Sequence, residues 1–301
     1  MEGRSRKSLK VKVLAPAKVN VFLSVGPRRP DGLHNLRSVM QSVSLCDAIT
    51  IERSPTLTVD VVPAGGAPRD ESNLAVRAAQ IFPTFDSEHR VAISIEKQIP
   101  MSAGLGGGSA DAAATLVGLN RLWVGRRSRK ALEEIAADLG ADVPFCIRGG
   151  TAVASGTGAN LSTVSCPKPI WWVVGISGAQ LSTADVYREF DRLGGGELED
   201  CSTVVDALAH GDTQRLASSI KNNLARAAIS LAPQIEVGRD SLVAAGALRV
   251  ILAGSGPTWL GLARDERHAF LVAERTRGAF KKVRVAHSLV ARPRRLATTE
   301  L

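Results

Sequence analysis

Residues 100–110 read Pro100-Met101-Ser102-Ala103-Gly104-Leu105-Gly106-Gly107-Gly108-Ser109-Ala110, with four glycines in five consecutive positions. Glycine buries no side chain, so such a stretch does not serve packing. It leaves backbone N–H groups open to a ligand that approaches closely. A strand-like run, Val91 to Ile95, precedes the loop, and an Ala- and Leu-rich run, Ala110 to Leu122, follows it with helical character. A glycine loop feeding a helix N-terminus offers unpaired donors and the positive end of the helix dipole, a combination suited to phosphate. Two common phosphate loops do not match. A Walker loop needs a lysine where Ser109 stands, and a dinucleotide loop needs a third glycine at that same place and an acid about twenty residues on.

The chain has 301 residues, enough for two domains, and 45% hydrophobic residues, enough for well-formed cores. No apolar run reaches membrane-spanning length. The basic stretch Met1 to Lys12 lacks the apolar segment of a secretory signal, so a cytoplasmic location is expected. Cys46, Cys146, Cys166 and Cys201 are widely spaced, without a C-x-x-C pair. They read as reduced, mostly buried small residues rather than a metal or redox site. The formal charge is +9, with basic clusters at Arg4, Arg6, Lys7, at Arg126, Arg127, Arg129, Lys130, and at Arg292, Arg294, Arg295. Aromatic residues make up only 4% and do not interleave with these clusters, which speaks against stacking on single-stranded nucleic acid. The expected partner is an anionic small molecule, with no nucleic acid and no membrane.

Strand patterns cover Lys10 to Leu14, Val19 to Val25, Leu57 to Val62 and Gly150 to Ala154, with helices at Asn73 to Phe82 and Ser128 to Leu139. Cys166-Pro167-Lys168-Pro169 then punctuates the chain before an apolar strand at Ile170 to Ile176, and the division is placed at 1–163 and 164–301. The second part reads as helices at Ser182 to Leu193, Thr203 to Ala209, Pro233 to Ala245 and Asp265 to Arg277. Its further strands are Leu248 to Leu252, Thr258 to Ala263 and Lys282 to His287. This order favours an α+β fold with antiparallel sheets.

Three more segments carry polar residues in unusual settings. In Ala15 to Leu23, Lys18 and Asn20 alternate with apolar residues and so share one face of a strand. In Gly140-Ala141-Asp142-Val143-Pro144, Asp142 follows a helix-ending glycine, and its carboxylate reads either as a helix N-cap or as a functional group. Ala253-Gly254-Ser255-Gly256-Pro257-Thr258 is a second glycine turn between two strands; it fits a hairpin connection and lacks the flanking glycines of a hydrolase nucleophile elbow.

Taken together, these segments resemble the GHMP kinases, the superfamily of galactokinase, homoserine kinase and mevalonate kinase. Pro100 to Ala110 is similar to their phosphate loop, Ala15 to Leu23 to their first motif and Leu252 to Thr258 to their third. Asp31-Gly32-Leu33-His34, Met40-Gln41, Gly140 to Pro144 and Ser182 to Tyr187 resemble one branch. That branch uses ATP to phosphorylate the C2 hydroxyl of a cytidine diphosphate-linked methylerythritol, on the non-mevalonate route to isoprenoid precursors. The alternative is another GHMP small-molecule kinase, or a drifted paralogue acting on a different hydroxyl. The resemblance implies an N-terminal domain like the second domain of ribosomal protein S5 and a ferredoxin-like C-terminal domain, with ATP and substrate in the cleft between them.

By position, the resemblance makes Asp142 the catalytic base and Lys18 its neighbour, where a cation favours the charged carboxylate. It assigns Pro100, Met101, Ser102, Ala103, Gly104, Leu105, Gly106, Gly107, Gly108, Ser109 and Ala110 to ATP phosphates, and Asn73 and Lys97 to adenosine. Asn20, Leu33, His34 and Thr183 go to the cytidyl substrate. Mg²⁺ would be held mainly by the ATP phosphates, with Ser109 as the candidate hydroxyl beside it. Leu33 stands where this branch usually carries an aromatic that can stack on cytosine. Ala159 follows Gly156-Thr157-Gly158 where a glutamate is usual.

Overall fold

The computed structural model describes residues 10–84, 86, 89–123 and 127–289, and the backbone alone at 298–300. Arg126 and the terminal basic clusters at Arg4, Arg6, Lys7 and at Arg292, Arg294, Arg295 lie outside the described residues.

The first half is built on β1 (Lys10–Arg28), β2 (His34–Arg53), β3 (Thr58–Val62), α1 (Leu74–Gln80), β4 (Val91–Glu96), α2 (Gly107–Leu122), α3 (Arg129–Ala137), α4 (Val143–Arg148), β5 (Thr151–Gly156) and β6 (Asn160–Thr163). The second runs through β7 (Trp171–Ile176), α5 (Thr183–Arg192), α6 (Ser202–His210), α7 (Thr213–Ser219), α8 (Ala225–Leu231) and α9 (Glu236–Ala244). It ends with β8 (Arg249–Leu252), β9 (Trp259–Ala263), α10 (Glu266–Thr276) and β10 (Lys282–His287). A short β11 (Thr298–Glu300) returns to pair with β1. In the second sheet the order is β10-β7-β9-β8 with every pair antiparallel, the ferredoxin-like arrangement. In the first, among the described residues, β3 and β4 run parallel and the other pairs antiparallel.

The two strand patterns expected at Lys10 to Leu14 and Val19 to Val25 form one strand, β1, whose pairing with β2 shifts register between Pro16 and Lys18. Its first residues alternate in burial, with Leu14 turned outward; beyond Ala17 both faces are covered, and alternation no longer describes it. The long β2 was not expected. Polar residues such as His34, Ser38, Gln41 and Asp47 interrupt its apolar pattern, yet all of them are buried and their side chains find partners in the fold. β2 pairs with β5 over Leu36 to Gln41 and with β4 over Ala48 to Arg53, so one strand joins two arms of the sheet.

Helix α2 packs across this sheet. Its alanines keep it slim, and Gly118 lets it approach so closely that a Cβ there would meet Ile51 Cδ1 at 2.5 Å. Leu116 and Leu119 are fully buried beneath it, each contributing roughly 1.5–3 kcal/mol from burial. Trp172 of β7 donates its indole N–H to Gln41 Oε1 of β2, so the two sheets meet through a buried, satisfied contact. The segment 221–224 bonds to both sides of Leu23, and Asn222 donates its amide to the carbonyls of Leu252 and Gly254. The far end of β1 is thereby stitched to the turn between β8 and β9.

Candidate active site

A cleft of about 730 Å³ lies where β1, the glycine loop, the start of α4, the start of α5 and the β8–β9 turn converge. Lys18 and Asn20 face it from one side of β1, as their alternation predicts. The Lys18 ammonium donates to Asn20 Oδ1 (3.0 Å) and lies 3.1 Å from Asp142 Oδ2. Asn20 in turn donates to Ser38 Oγ, which donates to the Phe22 carbonyl. This chain of bonds holds a buried ammonium in one place. Asp142 does occupy the N-cap position of α4, but its carboxylate makes no capping bond and meets Lys18 instead. Its side chain is 37% exposed, open to the cleft, whereas that of Lys18 is 8% exposed. These residues are 124 positions apart (142 − 18), and the fold closes that gap.

The glycine loop forms the adjoining wall. Gly106 takes φ +67° as the residue before α2 and supplies no side-chain cap, so the first-turn N–H groups of the helix have no protein side chain to satisfy them. The Lys18 backbone N–H donates to the Leu105 carbonyl (2.9 Å), which joins the loop to the strand that carries the ammonium. A Cβ on Gly106 would stand 2.7 Å from Lys18 Cγ. Ser102 adopts φ +52°, a region that favours glycine.

Gly104 binds the loop to the other half of the molecule. At φ +74°, a Cβ there would lie 2.1 Å from the Ala253 carbonyl oxygen. The expected outcome for Gly104→Ala is a loop forced off the β8–β9 turn. Left-handed strain alone costs about 1–2 kcal/mol, and the clash adds to it. Thermal melting should fall by several degrees and nucleotide affinity should weaken; a variant that melts and binds as the parent does would show that the contact is dispensable.

Of the other residues expected at a site, Pro100, Met101, Ala103, Gly107, Gly108, Ser109 and Thr183 also line the cleft, while Leu105 and Ala110 are buried behind it. Asn73 lines it too, but its side chain caps α1 at Ala75 N–H and donates to the Pro68 carbonyl. Lys97 touches the cleft with its ammonium held by Asp47 (2.6 Å) and Asp111 (2.8 Å). Burial opposes that charge, but the two carboxylates outweigh it and raise Lys97. Burial pushes Asp111 up to about 8 even though Lys97 pulls against it.

Leu33 and His34 are not among the residues lining the cleft. Leu33 is 54% exposed, and His34 is buried beside Tyr187 with its Nε2 2.8 Å from Asp191 Oδ1. Sequence reasoning did not single out Tyr187, Ser38, Asp111 or Ser255 for the site, yet all four line it. Tyr187 is four residues beyond Thr183 on α5, a one-face spacing that could have revealed it. Burial, and then the nearby charge of Asp142, push its hydroxyl up to about 12. Ser255 shares a hydroxyl contact of 2.9 Å with Thr183. Asp111 had a visible signal, the one carboxylate of a helix dominated by alanine and leucine. Among the described residues no cluster of three or more His, Cys, Asp or Glu could hold a metal ion, and no helix is long and apolar enough to cross a membrane.

Residues 73–150 match the GHMP kinases N terminal domain and residues 204–282 the GHMP kinases C terminal model. The chain is 45% identical over 262 residues to a 4-diphosphocytidyl-2-C-methyl-D-erythritol kinase of Mycolicibacterium gilvum, covering 82% of this chain and 80% of the relative. It is 41% identical over 288 residues to the enzyme of that name from Streptomyces coelicolor, covering 92% and 96%. A crystal structure of 4-(cytidine 5'-diphospho)-2C-methyl-D-erythritol kinase superimposes with a TM-score of 0.78 at 34% identity, over 92% of this chain and 98% of that one.

Proposed function

We infer the reaction from the family to which this chain belongs, the GHMP kinases, in their 4-diphosphocytidyl-2-C-methyl-D-erythritol kinase branch. The protein is an ATP-dependent kinase that transfers the γ-phosphoryl group of ATP to the C2 hydroxyl of 4-diphosphocytidyl-2-C-methyl-D-erythritol, a step of the non-mevalonate route to isoprenoid precursors. One observation carries this reading: the buried Lys18 ammonium and the cleft-facing Asp142 carboxylate, 3.1 Å apart, stand beside a glycine arch that is bonded to the backbone of Lys18.

The chemistry follows from the geometry. The triphosphate lies on the N–H groups at the start of α2, where the helix dipole favours anions. The acceptor hydroxyl sits between Lys18 and Asp142. As its oxygen attacks the γ-phosphorus, the bond to the bridging oxygen of ADP breaks and the hydroxyl proton passes to Asp142. Lys18 orients that oxygen and offsets charge on the transferred group. Phosphoryl transfer asks mainly for alignment and charge stabilisation, and a rigid pair facing a rigid cradle provides both. Mg²⁺ would suit this donor set, because it needs few ligands from protein; Ser109 in the first turn of α2 is the hydroxyl that would hold it, and it would supply charge to offset that of the phosphates. Asn20, Thr183 and Tyr187 face the acceptor half of the cleft.

Leu33 favours a second reading, a kinase of the same family with a shifted acceptor, since an exposed leucine replaces a ring there. An ATP-consumption assay separates the two. Turnover is expected with the cytidyl substrate and not with mevalonate, homoserine or galactose. Turnover with one of those three alone would move the chain to another acceptor within the family.

A further inference from the structure

We propose that Asp47 is a positioning residue for phosphoryl transfer, which fixes the root of the glycine loop and so sets where the phosphate cradle stands relative to Lys18. The inference rests on the nucleotide reading of that loop. Asp47 is fully buried and is not among the residues lining the cleft. It lies on β2 between the stretch paired with β5 and the stretch paired with β4. Its carboxylate takes donors from three consecutive residues: Oδ2 accepts from the Lys97 ammonium at 2.6 Å, and Oδ1 accepts from the backbone N–H groups of Gln98 and Ile99. β4 has ended at Glu96, so these groups have left the sheet ladder, and Pro100 opens the loop directly afterwards. One side chain therefore does for the chain leaving β4 what a neighbouring strand does for the chain within it.

The same network reaches the other end of the loop. Lys97 is held by Asp111 on α2 as well, and its ammonium would lie 3.3 Å from a Cβ on Gly107, the first residue of that helix. Entry and exit of the arch are thus tied to one buried cluster. Asp47 is also paired across the sheet with Ala15, three residues before Lys18 and just ahead of the register shift between Pro16 and Lys18. Moving Asp47 moves both reactive walls of the cleft against each other. Because transfer depends on alignment at the scale of an ångström, such displacement reduces turnover as well as binding.

The test compares the parent with Asp47→Ala and Asp47→Asn, well below their melting temperatures. Calorimetry with a non-hydrolysable ATP analogue reads binding; steady-state assays with ATP and the cytidyl acceptor read kcat and each KM. Asp47→Ala is expected to weaken the analogue at least tenfold and lower kcat at least tenfold, with the KM of the acceptor within twofold. Asp47→Asn keeps the backbone acceptor and loses the charge facing Lys97, so a smaller loss of analogue affinity, threefold or more, is expected. A purely structural role would lower the melting temperature and leave these constants alone. Folded variants that bind and turn over within twofold of the parent overturn the proposal; if Asp47→Ala does not fold, the Asn variant decides on the same terms. Absence of analogue binding by the parent would overturn the nucleotide reading instead, a distinct result.

Discussion

Asp142→Asn is expected to lower kcat by about 10²- to 10⁴-fold, the range for a positioned general base, or roughly 3–5 kcal/mol of barrier. The amide has the shape of the carboxylate but cannot take the hydroxyl proton. Nucleotide affinity should change little, because the carboxylate meets Lys18 and the donors for phosphate are backbone N–H groups of the loop and the first turn of α2. The melting temperature should also hold, since Asp142 makes no capping bond to α4. Single-turnover kinetics and analogue binding separate these effects. A variant with full turnover would refute the base assignment, and one with lost nucleotide binding would place Asp142 on the ATP side. Lys18 complicates any substitution of its partner: its ammonium keeps Asn20 as an acceptor in the variant, so its position should survive.

Gly106→Val should abolish measurable nucleotide binding, a loss of roughly a hundredfold or more. Two causes act at once. The residue sits at φ +67°, where a β-branched side chain is strained. Its Cβ would also stand 2.7 Å from Lys18 Cγ and 3.1 Å from Lys18 Cε, so the lysine stem must yield and the 3.1 Å pair with Asp142 opens. The variant should therefore lose turnover beyond what saturating ATP can restore. Gly106→Ala separates the causes: it keeps the Cβ clash and lacks the branching, so a milder loss with the same dependence on Lys18 is expected. Unchanged ATP affinity in the valine variant would mean that the arch does not hold phosphate.

The readable parts of this chain share a physical origin. Pro100 to Ala110 announced itself because glycine has one principal use at such density, close approach of backbone to something else. Alternation showed Lys18 and Asn20 on one face because side chains in a strand change sides at every residue. Helices α1, α3, α5 and α10 were visible from their caps and periodicity, each beginning within a residue or two of the expected place. β2 was hidden because its buried polar residues break the apolar pattern, and the bonds that make their burial tolerable come from residues far away in the chain. Lys97 and Asn73 could be assigned to a nucleotide by resemblance, yet their side chains already have partners, Asp47 and Asp111 for one and the Pro68 carbonyl and Ala75 N–H for the other.

Local order by itself therefore determined the elements, the phosphate-type loop and the α+β class, since these depend on neighbours a few positions apart. Tertiary structure alone decided that an aspartate after a helix-ending glycine turns to a lysine on the first strand. It also decided that Gly104 seats the loop on a turn from the other half, and that a carboxylate outside the cleft holds the loop's root. Each of these is a distance between residues separated by many positions, and such distances exist only once the chain has folded back on itself: within the first half for Lys18 with Asp142 and for Asp47 with 97–99, and between the two halves for Gly104.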